Sequence, residues 1–145
     1  MNRKQMQIEV CKALLDFNKR CCGGFISENE FAVTTDGFKV YVFHKDECIF
    51  DIEKVRKFEL KNLFAPDEKD EEMKLTNRFF KVGERIVEKY ETENAEIYVF
   101  ADVSKQFKGF HFYGASSQKR ILVKDDFGRL VGLFLPMKFN EEYLR

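Results

Sequence analysis

Apolar residues recur near helical spacing at the start of the chain and then, from Phe25 onward, at every second position, so one amphipathic helix is followed by a run of strands. Ile8, Cys11, Leu14, Leu15 and Phe17 supply the first pattern. Asn2 stands where its side chain can accept an N–H at a helix start while Gln5 reaches back, a capping box with glutamine in the third position. The spacing predicts a helix over residues 3 to 20. Lys19 and Arg20 then fall in its last turn, where the dipole favours cations, and Gly23-Gly24 provide the positive φ that commonly ends a helix.

The strand pattern is clearest where Phe31, Val33 and Thr35 lead through Asp36-Gly37 into Phe38, Val40 and Val42, a β-hairpin. A third strand is expected over Glu47 to Ile52. Strands resume over Arg85 to Thr92 and Glu96 to Ala101, and a short helix capped by Asp102 or Ser104 ends at Gly109. Phe110 to Tyr113, Arg120 to Lys124 and Leu130 to Lys138 close the series, the last two joined by the turn Asp125-Asp126-Phe127-Gly128, with Pro136 expected at an edge or bulge. No βαβ alternation and no repeat interrupts this order. The expected class is α+β, an antiparallel sheet packed against two helices in one domain over residues 1 to 145.

Bulk for the core comes from phenylalanine: the chain has seventeen Phe, no Trp and 44% apolar residues in a length of 145, enough to bury about two-thirds of its unfolded surface. A core of that kind needs no disulfide staples. Cys11, Cys21, Cys22 and Cys48 therefore read as free thiols in a reducing cytoplasm, and a bridge between the adjacent Cys21 and Cys22 would need a strained ring. No apolar run approaches the roughly 20 residues that span a bilayer. Membrane partners are not expected.

The sequence carries no catalytic, metal or cofactor motif. His44 and His111 lie outside every triad, zinc and phosphate-loop pattern, no C-x-x-C pair offers local chelation, and the glycines fall at turns and helix ends. Asp125 and Asp126 read as turn chemistry. An enzyme would have to be built from Cys48 with His44, or from His111 near Ser116 and Ser117.

Charge is balanced overall, 25 basic against 25 acidic residues, so an electrostatic partner must be met locally. Residues 1 to 20 hold Arg3, Lys4, Lys12, Lys19 and Arg20 against Glu9 and Asp16, a net of +3, and the second helix adds Lys105 and Lys108. These seven residues are the candidate binding surface, for a protein partner or for nucleic-acid phosphates. The opposite sign is concentrated in Pro66-Asp67-Glu68-Lys69-Asp70-Glu71-Glu72, which reads as a solvated loop. A small inhibitor from a phage or mobile element, acting on a host defence or replication complex, could use such a run to imitate phosphates.

The segment from Ala101 to Phe107, followed by Arg120 to Phe139 with its acidic turn and its closing Leu135-Pro136-Met137-Lys138-Phe139, resembles the closing part of a bacterial DNA sliding-clamp domain. The resemblance implies two helices packed on an antiparallel sheet, domains joined edge to edge, and helices facing DNA. Clamp chains carry three such domains, whereas this chain has room for one, so a ring would need several copies. The resulting expectation is a non-enzymatic binding or assembly protein that engages a partner or self-associates through sheet edges.

Overall fold

The computed structural model describes residues 1–144, with side chains to Glu142. Its helix α1 (Arg3–Leu14) begins on the expected capping box: the Asn2 side chain accepts the Gln5 N–H at 2.9 Å and the Gln5 side chain accepts the Asn2 N–H at 2.8 Å. It stops six residues sooner than the sequence suggests, because the buried stripe is Met6, Val10 and Ala13, with Leu15 and Phe17 left in solvent. Lys19 and Arg20 lie beyond the helix.

Gly23-Gly24 are not a helix stop. They sit in strand β1 (Cys22–Phe25), where a Cβ on Gly23 would lie 2.2 Å from the Ala32 carbonyl oxygen and one on Gly24 2.7 Å from that of Phe58. Close backbone approach explains both glycines. The hairpin follows as β2 (Glu30–Thr34) and β3 (Lys39–His44), turning at Gly37 with φ 80°.

The strand expected over Glu47 to Ile52 is absent. Two 3₁₀ turns, Lys45–Glu47 and Ile52–Lys54, take its place, because local side chains satisfy the backbone there. His44 Nδ1 accepts the Asp46 N–H, Glu47 accepts the His44 N–H, and Asp51 accepts the Glu53 N–H. Short strand β4 (Arg56–Lys57) and a third 3₁₀ turn, Lys61–Phe64, complete this stretch.

β5 (Glu71–Glu72) runs through buried Met73 into β6 (Lys74–Val82), which pairs with β7 (Arg85–Glu91) and β8 (Glu96–Phe100). One-turn helix α2 (Ala101–Ser104), a 3₁₀ turn over Lys105–Phe107, and β9 (His111–Gly114), β10 (Ile121–Lys124) and β11 (Leu130–Phe134) follow. Neither Asp102 nor Ser104 caps α2, whose N-cap position is Phe100. Past β11, Pro136 lies outside any strand and Met137 donates to the Tyr98 carbonyl.

The architecture is α+β, with two sheets rather than one. An eight-stranded sheet runs β4-β1-β2-β3-β11-β10-β9-β5 and a three-stranded sheet runs β6-β7-β8; every pairing is antiparallel except β1 with β4. Alternation along the central strands sends Phe31, Tyr41, Phe43, Ile121 and Phe134 to one face, against α1 and the small sheet. Val40, Val42, Leu122 and Leu133 go to the other, against Leu60. On the first face Phe107, fully buried, stacks on Phe134 at 5.7 Å and meets Tyr41 edge-on at 5.7 Å, directly above Gly132.

Candidate functional site

The basic residues that the sequence singles out are divided by the fold. The residue before α1 does reach the turn that follows α2, since the Met1 amino group donates to the Gln106 carbonyl at 2.9 Å, and the Tyr41 hydroxyl of β3 bonds the Gln106 side chain at 3.3 Å. Arg3, however, is committed inward. Its guanidinium lies 4.6 Å from the Phe43 ring centroid and donates to the carbonyls of Val42 and Val131 and to Glu47. Lys4, Lys12, Lys105 and Lys108 are exposed and form no ion pair among the described residues, but Lys4 and Lys12 share their stripe of α1 with exposed Ile8, and exposed Leu15 follows at its C-cap. The surface is broken rather than uniformly basic.

A cleft of about 650 Å³ opens where the loops at one end of the large sheet meet, lined by Ser27, Glu30, His44, Glu47, Asp125 and Arg129 among others. Its polar groups answer one another: Ser27 donates to Glu30 at 3.1 Å, Arg129 to Asp125 at 3.1 Å, and His44 Nδ1 accepts a backbone N–H. Cys48 does not pair with the His44 ring. Its thiol faces the His44 carbonyl at 3.6 Å, and burial pushes its pKa up to about 11, so at neutral pH it is a thiol rather than a nucleophilic thiolate.

His111 spends both ring nitrogens on carboxylates, Nδ1 on Glu72 at 3.0 Å and Nε2 on Asp126 at 2.6 Å. The two partners lie on opposite sides of the ring, an arrangement that holds an imidazolium and does not converge on a metal ion. Hydrogen bonds to Asp126 and then Glu72 raise the His111 pKa above its ordinary value. A raised folded-state pKa means the stabilisation is fully present below about pH 6.5, the unfolded value, and is lost as pH rises through the folded one. Thermal melting of the wild type and of His111→Gln across pH 5 to 9 is therefore expected to show a gap that closes toward alkaline pH. A gap that widened there would contradict the sandwich.

The acidic run is not a free loop. Lys119 pairs with Asp67 and lowers its pKa, Arg120 grips Asp70 with two bonds of 2.8 Å and the Ala65 carbonyl with one of 2.7 Å, and Asn94 donates to Glu71. Glu71 and Glu72 form the edge strand of the large sheet on β9.

Sequence reasoning missed β6, none of whose nine residues is buried. Thr76-Asn77 forms a bulge, with Asn77 at φ 62° and the Thr76 hydroxyl bonded to the Lys89 carbonyl, so the alternation breaks phase at its middle. Beyond the bulge the ladder is regular. The two-residue turn Gly83-Glu84 makes Val82 and Arg85 a hydrogen-bonded pair, and alternation then turns the backbone N–H and C=O of Phe79 and Lys81 outward, away from β7. Phe80 packs on Tyr98 and Phe139, whereas Phe79 on the other face is 55% exposed and shares that face with exposed Ile86 and Leu75. The pair of adjacent phenylalanines before Val82-Gly83 was the available signal.

Comparison with protein families, with curated proteins and with solved structures finds no match to the chain.

Proposed function

We propose that the chain is a non-enzymatic binding module that captures an extended protein segment along the outer edge of β6. One observation carries this: β6 is a nine-residue edge strand, while the large sheet ends at both sides in strands of two residues. Short edges are the usual protection against strand addition, and a long edge beside exposed apolar side chains is the usual template for it. Main-chain bonds to Phe79 and Lys81 would hold the incoming strand, and Phe79 and Ile86 would give it an apolar neighbour. This role shares with a clamp domain only the meeting of chains at a sheet edge; it does not use the helix face.

Selection of random twelve-residue peptides against the immobilised wild-type chain tests it. Lys81→Pro removes an outward N–H and leaves the β6–β7 ladder intact, whereas Phe80→Pro removes a ladder bond and serves as the destabilised control. The selected peptides are expected to lose binding to Lys81→Pro at unchanged melting temperature. Peptides that bind Lys81→Pro as well as the wild type would place docking elsewhere.

A further inference from the structure

The charges along β6 narrow what can be seated there. Lys74, Arg78 and Lys81 are its only ionisable residues, and none of its nine positions is a carboxylate. Two of the acids nearby are already engaged, while Glu84, exposed in the turn after β6, forms no ion pair among the described residues. Glu88, cross-strand from Phe79, accepts the Ser104 hydroxyl at 2.9 Å, and Glu141 lies 2.9 Å from Lys89 and only 3.5 Å from Arg78. Lys81 has no ion pair among the described residues. An added strand therefore meets Lys81, which is unpaired among the described residues, and Arg78, which shares Glu141 with Lys89 and lies 5.4 Å from the Phe80 ring centroid, the two cations separated by Phe79 and Phe80.

Residues directly opposite in a ladder point to the same face and interact in pairs. A carboxylate complements Arg78 on one face and another complements Lys81 on the other, while apolar residues complement Phe79 and Phe80 between them. We infer that the segment recognised at β6 carries the four-residue pattern acid, apolar, apolar, acid, a deduction that rests on strand docking at this edge. The pattern reads the same in both directions, so it holds for parallel and antiparallel addition. It also bears on the occupant: no two carboxylates in this chain's own sequence enclose just two apolar residues, so the matching partner is a different protein rather than a second copy.

Fluorescence anisotropy with the capped peptide Ser-Thr-Glu-Val-Phe-Glu-Thr-Ser, its Gln-for-Glu analogue and its Lys-for-Glu analogue is the test. The acidic peptide is expected to bind the wild type about tenfold more tightly than the amide analogue, with the advantage shrinking from 50 to 500 mM salt. Arg78→Glu/Lys81→Glu is expected to prefer the lysine analogue. Equal binding of the acidic and amide peptides, both lost in Lys81→Pro, would overturn the acidic pattern and leave edge docking standing. No binding of the acidic peptide up to millimolar concentration would overturn the pattern too, and peptide selection then decides edge docking independently. The two wild-type comparisons need no folded variant.

Discussion

Gly132→Ala is expected to destabilise the chain by about 3 kcal/mol, lowering its melting temperature by roughly 10 °C. The reason is space, since a Cβ at this position would stand 2.6 Å from the Val40 carbonyl oxygen and 2.8 Å from Cε1 of Phe107. Neither neighbour can yield cheaply. Gly132 is in β11, which is held between β3 and β10 in the middle of the large sheet, and the Phe107 ring is trapped between Phe134 and Tyr41. Gly109→Ala is the informative contrast: its φ of 93° is costly for alanine but nothing lies within 4 Å, so about 1 kcal/mol is expected. Combining Gly132→Ala with Phe107→Leu is expected to cost less than the two changes summed, because the methyl gains room. An unchanged melting temperature in Gly132→Ala would mean that Phe107 does not lie over β11.

Arg120→Ala is the second large effect, again about 3 kcal/mol. The Arg120 and Asp70 side chains are 10% and 14% exposed, so removing the guanidinium leaves the Asp70 carboxylate poorly solvated and short of donors, while the exposed Ala65 carbonyl can turn to water. Lysine should rescue only in part, because it cannot reproduce the two-pronged bond to Asp70. Replacing both partners by apolar residues of similar size is expected to recover most of the loss. Lys119→Ala, which opens a more exposed pair with Asp67, is expected to change stability by no more than about 1 kcal/mol. Urea denaturation of the four variants checks this series, and equal midpoints for Arg120→Ala and Lys119→Ala would contradict it.

What could be read from the chain was what neighbouring residues decide between themselves. The Asn2 and Gln5 cap and the Asp36-Gly37 hairpin are local devices, and both stand where the sequence puts them. The end of α1 was not legible, because nothing local separates Leu14 from Leu15; the sheet buries the Met6, Val10 and Ala13 stripe and leaves Leu15 and Phe17 without a surface to cover. Gly23-Gly24 carried a helix-stop meaning locally and a packing meaning in the fold, since the carbonyls they approach belong to Ala32 and Phe58. The same distinction applies to the site. Arg3 reads as a free cation in sequence, yet its acceptors, Val42, Glu47 and Val131, are supplied by remote segments. β6 was hidden by its bulge, and its being an edge is a property of sheet order, which no residue of β6 encodes.

Backbone NMR of the labelled chain, titrated with a peptide selected at the β6 edge, tests strand docking most directly. The largest shifts and newly slowed hydrogen exchange are expected at the amides of Phe79 and Lys81, with the inward-bonded amides of Arg78 and Phe80 little changed in exchange. Shifts confined to Lys4, Lys12, Lys105 and Lys108, with Phe79 and Lys81 exchanging as in the free chain, would contradict it and return the partner to the helices.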